Sequence, residues 1–130
     1  MARNPGLAAW HAYMKGDAGT TLADLIAEDA VFHSPVVHTP QAGKAKVMAY
    51  LGAAAVVLGN DSFRYLHEVV EGDNAVLEFA LELDGVAING VDIIRFDATG
   101  RITDFKVMIR PLKAINKVWE RMGEQLAAAG

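Results

Sequence analysis

Asp92 is the residue whose surroundings say most about chemistry. Alternation along a strand expected over Val86–Asp97 puts Val86, Ile88, Gly90, Asp92, Ile94 and Phe96 on one face. The other face carries Ala87, Asn89, Val91, Ile93, Arg95 and Asp97. The first set is apolar apart from Asp92, so it should point inward. A lone carboxyl there is costly unless it is hydrogen-bonded or keeps its proton. Two readings follow. Asp92 is a buried acid satisfied by a backbone amide or a Tyr hydroxyl, or it is a pocket acid with a raised pKa that donates to a ligand oxygen. On the next strand Phe105, Val107 and Ile109 alternate with Asp104, Lys106 and Met108, continuing an apolar wall beside Asp92.

His33 and Ser34 complete the candidate catalytic set. They end a short strand just before Pro35, and a strand end at a cavity rim is a common place for reactive groups. On a period of two, His33 faces opposite to Phe32 and Ser34, and Ser34 also suits a turn-capping role. Amphipathic and apolar side chains supply the candidate ligand-binding set: Trp10, Tyr13, Phe32, Tyr50, Tyr65, Phe79, Ile94, Phe105, Val107 and Ile109. A buried Tyr hydroxyl needs a partner, and an Asp on the opposing sheet is a good one.

Other chemistries find no support. The four histidines, His11, His33, His38 and His67, lack metal-ligand spacing, so no metal is expected. Nucleophile elbows, phosphate loops and dinucleotide fingerprints are missing, and no cofactor is expected. With no cysteine, disulfides, thiolate catalysis and cysteine-held metal are excluded.

The elements that must position these residues follow from periodicity. A helix is expected over Pro5–Lys15, with Leu7, Trp10 and Met14 on one face and Gly16-Asp17-Ala18-Gly19 as its stop. Thr21 reads as the N-cap of a short helix ending near Glu28. Ala30–Ser34 is a short strand and Pro40–Gly43 a loop. An Ala-rich helix over Lys44–Leu58 shows Val47, Tyr50, Leu51 and Ala54 on one face. Then the period shifts to two. Strands are expected over Ser62–Glu71, Ala75–Leu83, Val86–Asp97 and Arg101–Arg110, separated by three tight turns. Pro111 opens a last helix with a stripe of Leu112, Ile115, Trp119, Met122 and Leu126. This order predicts an α+β fold in which one curved antiparallel sheet carries helices on its concave face and encloses a pocket.

The 130 residues make one domain, 1–130, with 52% hydrophobic and 22% charged residues. A net charge of −4 and a pI near 5.5 argue against nucleic acid and anionic membranes as partners. The start of the chain has no signal-peptide pattern, and the apolar run Leu51–Leu58 is far too short to span a bilayer; a cytoplasmic protein is expected. Mean hydropathy of +0.19 is high for a small monomer, which implies a homodimer face, an apolar cavity, or both.

Two runs carry a family resemblance. Leu25-Ile26-Ala27-Glu28-Asp29-Ala30-Val31-Phe32-His33-Ser34-Pro35, with Gly43 opening a helix that contains Tyr50, resembles the cone-shaped nuclear-transport-factor-two-like superfamily. So does Gly90-Val91-Asp92-Ile93-Ile94-Arg95-Phe96-Asp97-Ala98-Thr99-Gly100-Arg101-Ile102. Within it the chain is similar to SnoaL-like and ketosteroid-isomerase-like proteins over nearly its whole length. The resemblance implies a cystatin-like cone and a homodimer through the convex sheet face. It places Asp92 where those isomerases hold a protonated Asp that donates to the substrate oxyanion. Trp10 falls at their oxyanion-hole Tyr and Tyr50 at a supporting Tyr. Ser34 replaces the Asp that shuttles the proton, and serine is no base at neutral pH. The last-strand acid of the limonene-epoxide-hydrolase branch has no match in Phe105–Arg110. The expected function is therefore a pocket for a small apolar molecule. The alternatives are an isomerase or cyclase acting on a small carbonyl compound through Asp92, with His33 as the nearby candidate base, and a purely structural dimer module whose cavity is filled by side chains.

Overall fold

The computed structural model describes residues 4–16 and 19–129. Four helices and six strands follow in the order α1 (Pro5–Met14), α2 (Leu22–Leu25), β1 (Ile26–His33), β2 (Gln41–Ala42), α3 (Lys44–Leu58), β3 (Arg64–Glu71), β4 (Asn74–Leu83), β5 (Val86–Phe96), β6 (Ile102–Arg110) and α4 (Leu112–Ala129). Asn4 caps α1 by accepting from the Leu7 amide, and Pro5 sits in the first turn, where its missing N–H costs nothing. Of the four residues expected to stop this helix, Asp17 and Ala18 lie outside the described residues.

One six-stranded sheet runs in the order β2-β1-β6-β5-β4-β3. The β3–β6 meander is antiparallel as expected, but β1 runs parallel to β6, pairing Ile26 with Ile102 and Phe32 with Phe105. That pairing corrects the sequence reading of the short helix. Thr21 does cap a helix through the Asp24 amide, yet the helix ends at Leu25 and the strand begins at Ile26, not Ala30. Ile26 and Ala27 are buried, and they gain more from the sheet than from another helical turn. The expected loop at Pro40–Gly43 holds the two-residue β2, which covers the outer edge of β1.

The concave face carries the core. Leu77, Phe79, Ile88, Ile94, Phe105 and Val107 project from it and meet Val47, Leu51 and Val57 of α3 and Trp10 of α1 in one buried cluster. The stripe of α4 differs from expectation. Ala114, Val118 and Met122 are its buried residues, whereas Leu112 and Trp119 are 70% and 61% exposed. The small side chains face the sheet because they let the helix come close to it. Arg121 and Lys117 tie α4 to Asp84 in the β4–β5 turn, at 2.9 and 3.8 Å.

Candidate active site

Register fixes Asp92 at the middle of the concave face, between Leu77 on β4 and Val107 on β6. It is the buried charged residue of the core, 6% exposed. A directed chain of hydrogen bonds meets it. The Trp10 indole Nε1–H donates to the Tyr65 hydroxyl oxygen at 3.0 Å, and the Tyr65 O–H donates to Asp92 Oδ2 at 3.0 Å. Three elements far apart in sequence, α1, β3 and β5, are needed to build it. Burial pushes the Asp92 pKa up to about 7, with the Tyr65 hydrogen bond opposing the rise. Burial, and then the Asp92 charge, raise the Tyr65 hydroxyl well above its ordinary value, so it stays a donor.

Because Oδ2 already accepts from Tyr65, a proton on Asp92 belongs on Oδ1. Among the described residues Oδ1 has no hydrogen-bond partner. Asp92 borders a cavity with about 50 Å³ of free space, walled by Trp10, Met14, Leu51, Phe63, Phe79 and Phe105 among others. Asp92 supplies the only side-chain oxygen of that wall. The arrangement can present one acid, of near-neutral pKa, to a single polar atom in apolar surroundings. Glycine two residues before Asp92 shapes the wall: a Cβ on Gly90 would stand 2.5 Å from Phe79 Cζ.

A second cavity, about 120 Å³, lies between the end of β1, α3, β6 and α4. Phe32, Ser34, Tyr50 and Ile109 line it, and Ala54, Leu58 and Val107 belong to both walls. Ser34 Oγ accepts from the amides of Val36 and Val37, so Ser34 forms the expected turn and still borders free space. His33 is turned away. It lies on the convex side of β1 with its Nε2 2.9 Å from Asp104 Oδ1, because alternation sends Phe32 inward and its neighbour outward. It is not placed to act as a base on anything beside Asp92.

Of the remaining candidate ligand-binding residues, Trp10, Phe79, Phe105 and Val107 line the first cavity. Tyr65 backs Asp92 from behind this wall. Tyr13 lies outside both walls with its ring tilted 38° to that of Trp10 at 5.6 Å, and Ile94 is core. Sequence reasoning missed Phe63, which stacks on Phe79 at 5.5 Å and meets Tyr65 edge-on. Its signal was its position two residues before Tyr65, on the same alternating face. Among the described residues no cluster of three or more His, Asp and Glu side chains could hold a metal ion. No helix among them is long and apolar enough to cross a membrane.

Comparison with known proteins agrees with this fold. A sequence profile of the SnoaL-like domain matches residues 7–105. A solved structure of a steroid delta-isomerase from Pseudomonas aeruginosa shares 36% identity, covering 99% of this chain and 96% of its own, with a TM-score of 0.90. An uncharacterised cystatin-like protein from Silicibacter pomeroyi shares 31% identity over 94% of this chain and 85% of its own, with a TM-score of 0.83. A protein from Catenulispora acidiphila with a ketosteroid isomerase-like fold, solved with trimethylamine, shares the fold alone at 15% identity, covering 85% of this chain and 88% of its own, with a TM-score of 0.61. No protein among those with curated descriptions matches the chain. With the cone, its register and the profile match in agreement, the chain belongs to the SnoaL-like family and shares its fold with nuclear-transport-factor-two-like proteins.

Proposed function

We propose that the protein binds a small apolar molecule through one oxygen function, a carbonyl, enone or phenol, held by Asp92. The observation that carries this reading is the asymmetry of the carboxyl. Tyr65 occupies Oδ2, Oδ1 has no hydrogen-bond partner among the described residues, and Asp92 borders an otherwise apolar cavity. Protonated, Asp92 donates from Oδ1 to the ligand oxygen, and the dry wall strengthens that bond. Free space beside a fixed acid also counts against a purely structural role.

The test is calorimetric titration with small ketones and enones near pH 6. Asp92→Asn keeps a donor and should largely retain binding. Asp92→Leu should weaken it by roughly 1–3 kcal/mol while the chain still folds. Equal binding by wild type and Asp92→Leu would overturn the reading.

Isomerisation of a carbonyl compound is the second reading, favoured by 36% identity to the Pseudomonas aeruginosa protein. Moving a proton between two carbons needs a base as well as an acid. Ser34 cannot serve, and His33 faces Asp104 on the other side of the sheet. Binding without turnover is therefore the better-supported reading. A β,γ-unsaturated ketone incubated with the protein should show no conjugation above the buffer rate. Turnover that Asp92→Leu abolishes would establish the isomerase instead.

A further inference from the structure

The strand beside β1 outlasts it. β1 ends at His33, paired with Lys106, while β6 runs on to Arg110. Where β1 stops, a cleft of about 370 Å³ opens at the surface. Its polar lining is His33, Ser34, His38 and Lys106. No carboxyl group lines it, although the chain has 16 acidic residues against 12 lysines and arginines. The lining is rich in donors. Ser34 Oγ already accepts from the amides of Val36 and Val37, at 3.1 and 3.4 Å, which leaves its O–H to donate. His33 spends Nε2 on Asp104 Oδ1 and keeps Nδ1, a donor whenever the ring is protonated. His38 has no hydrogen-bond or ion-pair partner among the described residues. Lys106 is the telling side chain. Among the described residues four lysines and arginines are half-buried: Lys44, Lys106, Lys117 and Arg121. Lys44 pairs with Glu28, and Lys117 and Arg121 pair with Asp84, but Lys106 has no counter-ion. Partial burial of an ammonium costs free energy that an anion beside it recovers.

We propose that this cleft binds the carboxylate of a small organic acid. Lys106 supplies the charge, and Ser34 and the two imidazoles supply directed donors. The rest of the wall is apolar, with Pro35 and Met108 in it, and suits a short carbon body. One negative charge fits better than two, because Asp104 already stands behind His33. The site is independent of the Asp92 reading, since Asp92 lies on the concave face and does not line the cleft.

The four histidines are built-in reporters. His33 and His38 line the cleft, while His11 and His67 lie at β3, the opposite edge of the sheet. Their imidazole C–H resonances are followed by NMR at constant pH during titration with hexanoate. Those of His33 and His38 should move to saturation, and those of His11 and His67 should stay. Hexanamide, with the same skeleton and no charge, should move none of them. Sulfate, a dianion without a carbon body, should bind more weakly than hexanoate. Lys106→Met keeps the length of the side chain and should weaken hexanoate about tenfold, the loss of one charged hydrogen bond. His38→Gln, at an exposed position that leaves the fold alone, should weaken it about threefold. No saturable response at His33 and His38, an equal response to hexanamide, or unchanged affinity in both variants overturns the site. Sulfate binding as tightly as hexanoate overturns the carboxylate as its ligand. If Lys106→Met instead alters the sedimentation of the ligand-free protein, the ammonium meets a second copy of the chain, and the small-acid site is overturned.

Discussion

Asp92 couples stability to pH through one proton and, on the proposed function, ligand binding as well. Its pKa in the fold is raised to about 7 by burial, against about 3.9 in an unfolded chain. Between these values the native state holds a proton that the unfolded state has released. The stabilisation is complete below about pH 4, declines as pH rises and is lost above about pH 7. The full span is on the order of 4 kcal/mol. Glu78, held low by its hydrogen bond from His67, and Asp97, held low by that from Thr99, pull in the opposite sense, losing stability as pH falls. Wild type must therefore be compared with Asp92→Asn, which has no proton to lose at that position. Urea unfolding at pH 4.5 and pH 8 should show wild type losing stability relative to Asp92→Asn at the higher pH. The same ionisation removes the donor, so affinity for a ketone should fall about tenfold per pH unit above pH 7 in wild type and stay level in Asp92→Asn. Parallel pH profiles for the two proteins would contradict the assignment.

At the level of elements, close approach governs the site. Gly90 on β5 leaves room for the Phe79 ring from β4: a Cβ there would lie 2.5 Å from Phe79 Cζ and 2.6 Å from the Met108 carbonyl oxygen. The carbonyl belongs to the neighbouring strand and cannot give way without disturbing the β5–β6 pairing that holds Asp92 opposite Val107. Gly90→Ala should cost about 1–3 kcal/mol of stability by overpacking, measured by urea unfolding. Gly52→Ala in α3, where a Cβ meets no heavy atom within 4 Å, should be neutral or gain up to about 1 kcal/mol. Much of this arrangement was legible in sequence because β4, β5 and β6 each bury one face, and a period of two exposes any misfit; Asp92 stood out on those grounds. The same period showed that His33 and Phe32 diverge. Other features depend on partners that no local pattern names. Leu25-Ile26-Ala27 does not alternate, so only the parallel pairing with β6 decides that β1 begins at Ile26. On α4, bulk was a poor guide, since the near approach to the sheet selects Ala114 and Val118 and turns Trp119 outward. The Trp10–Tyr65–Asp92 chain joins residues 55 and 27 positions apart and needed the folded molecule to appear.

At the scale of the whole molecule, no element among the described residues covers one face of the sheet. Helices occupy the concave side, while on the convex side Val69, Val76 and Ile93 fall in one register row across β3, β4 and β5. Glu78, Val91 and Met108 fall in the next, across β4, β5 and β6. Val69 is 63% exposed and Met108 51%, values that leave an apolar band in water. Polar groups are interspersed: Asn89 donates to Glu78 Oε2 at 3.0 Å, and Arg95 and Lys106 flank Ile93. An apolar band inside a polar border is the anatomy of a protein interface. A stable pair needs about 800 Å² from each partner, roughly a tenth of the chain's accessible surface of 7492 Å². We therefore propose that this face meets the same face of a second copy, a closed two-fold arrangement that leaves the concave cavities free. Sedimentation at micromolar concentration should give twice the 13.9 kDa chain mass. Val76→Lys puts a charge on each side of the axis, at a position exposed enough to keep the fold, and should shift the protein to a monomer with ketone binding retained. A wild-type monomer at that concentration, or a Val76→Lys protein that still sediments as a pair, would place the interface elsewhere.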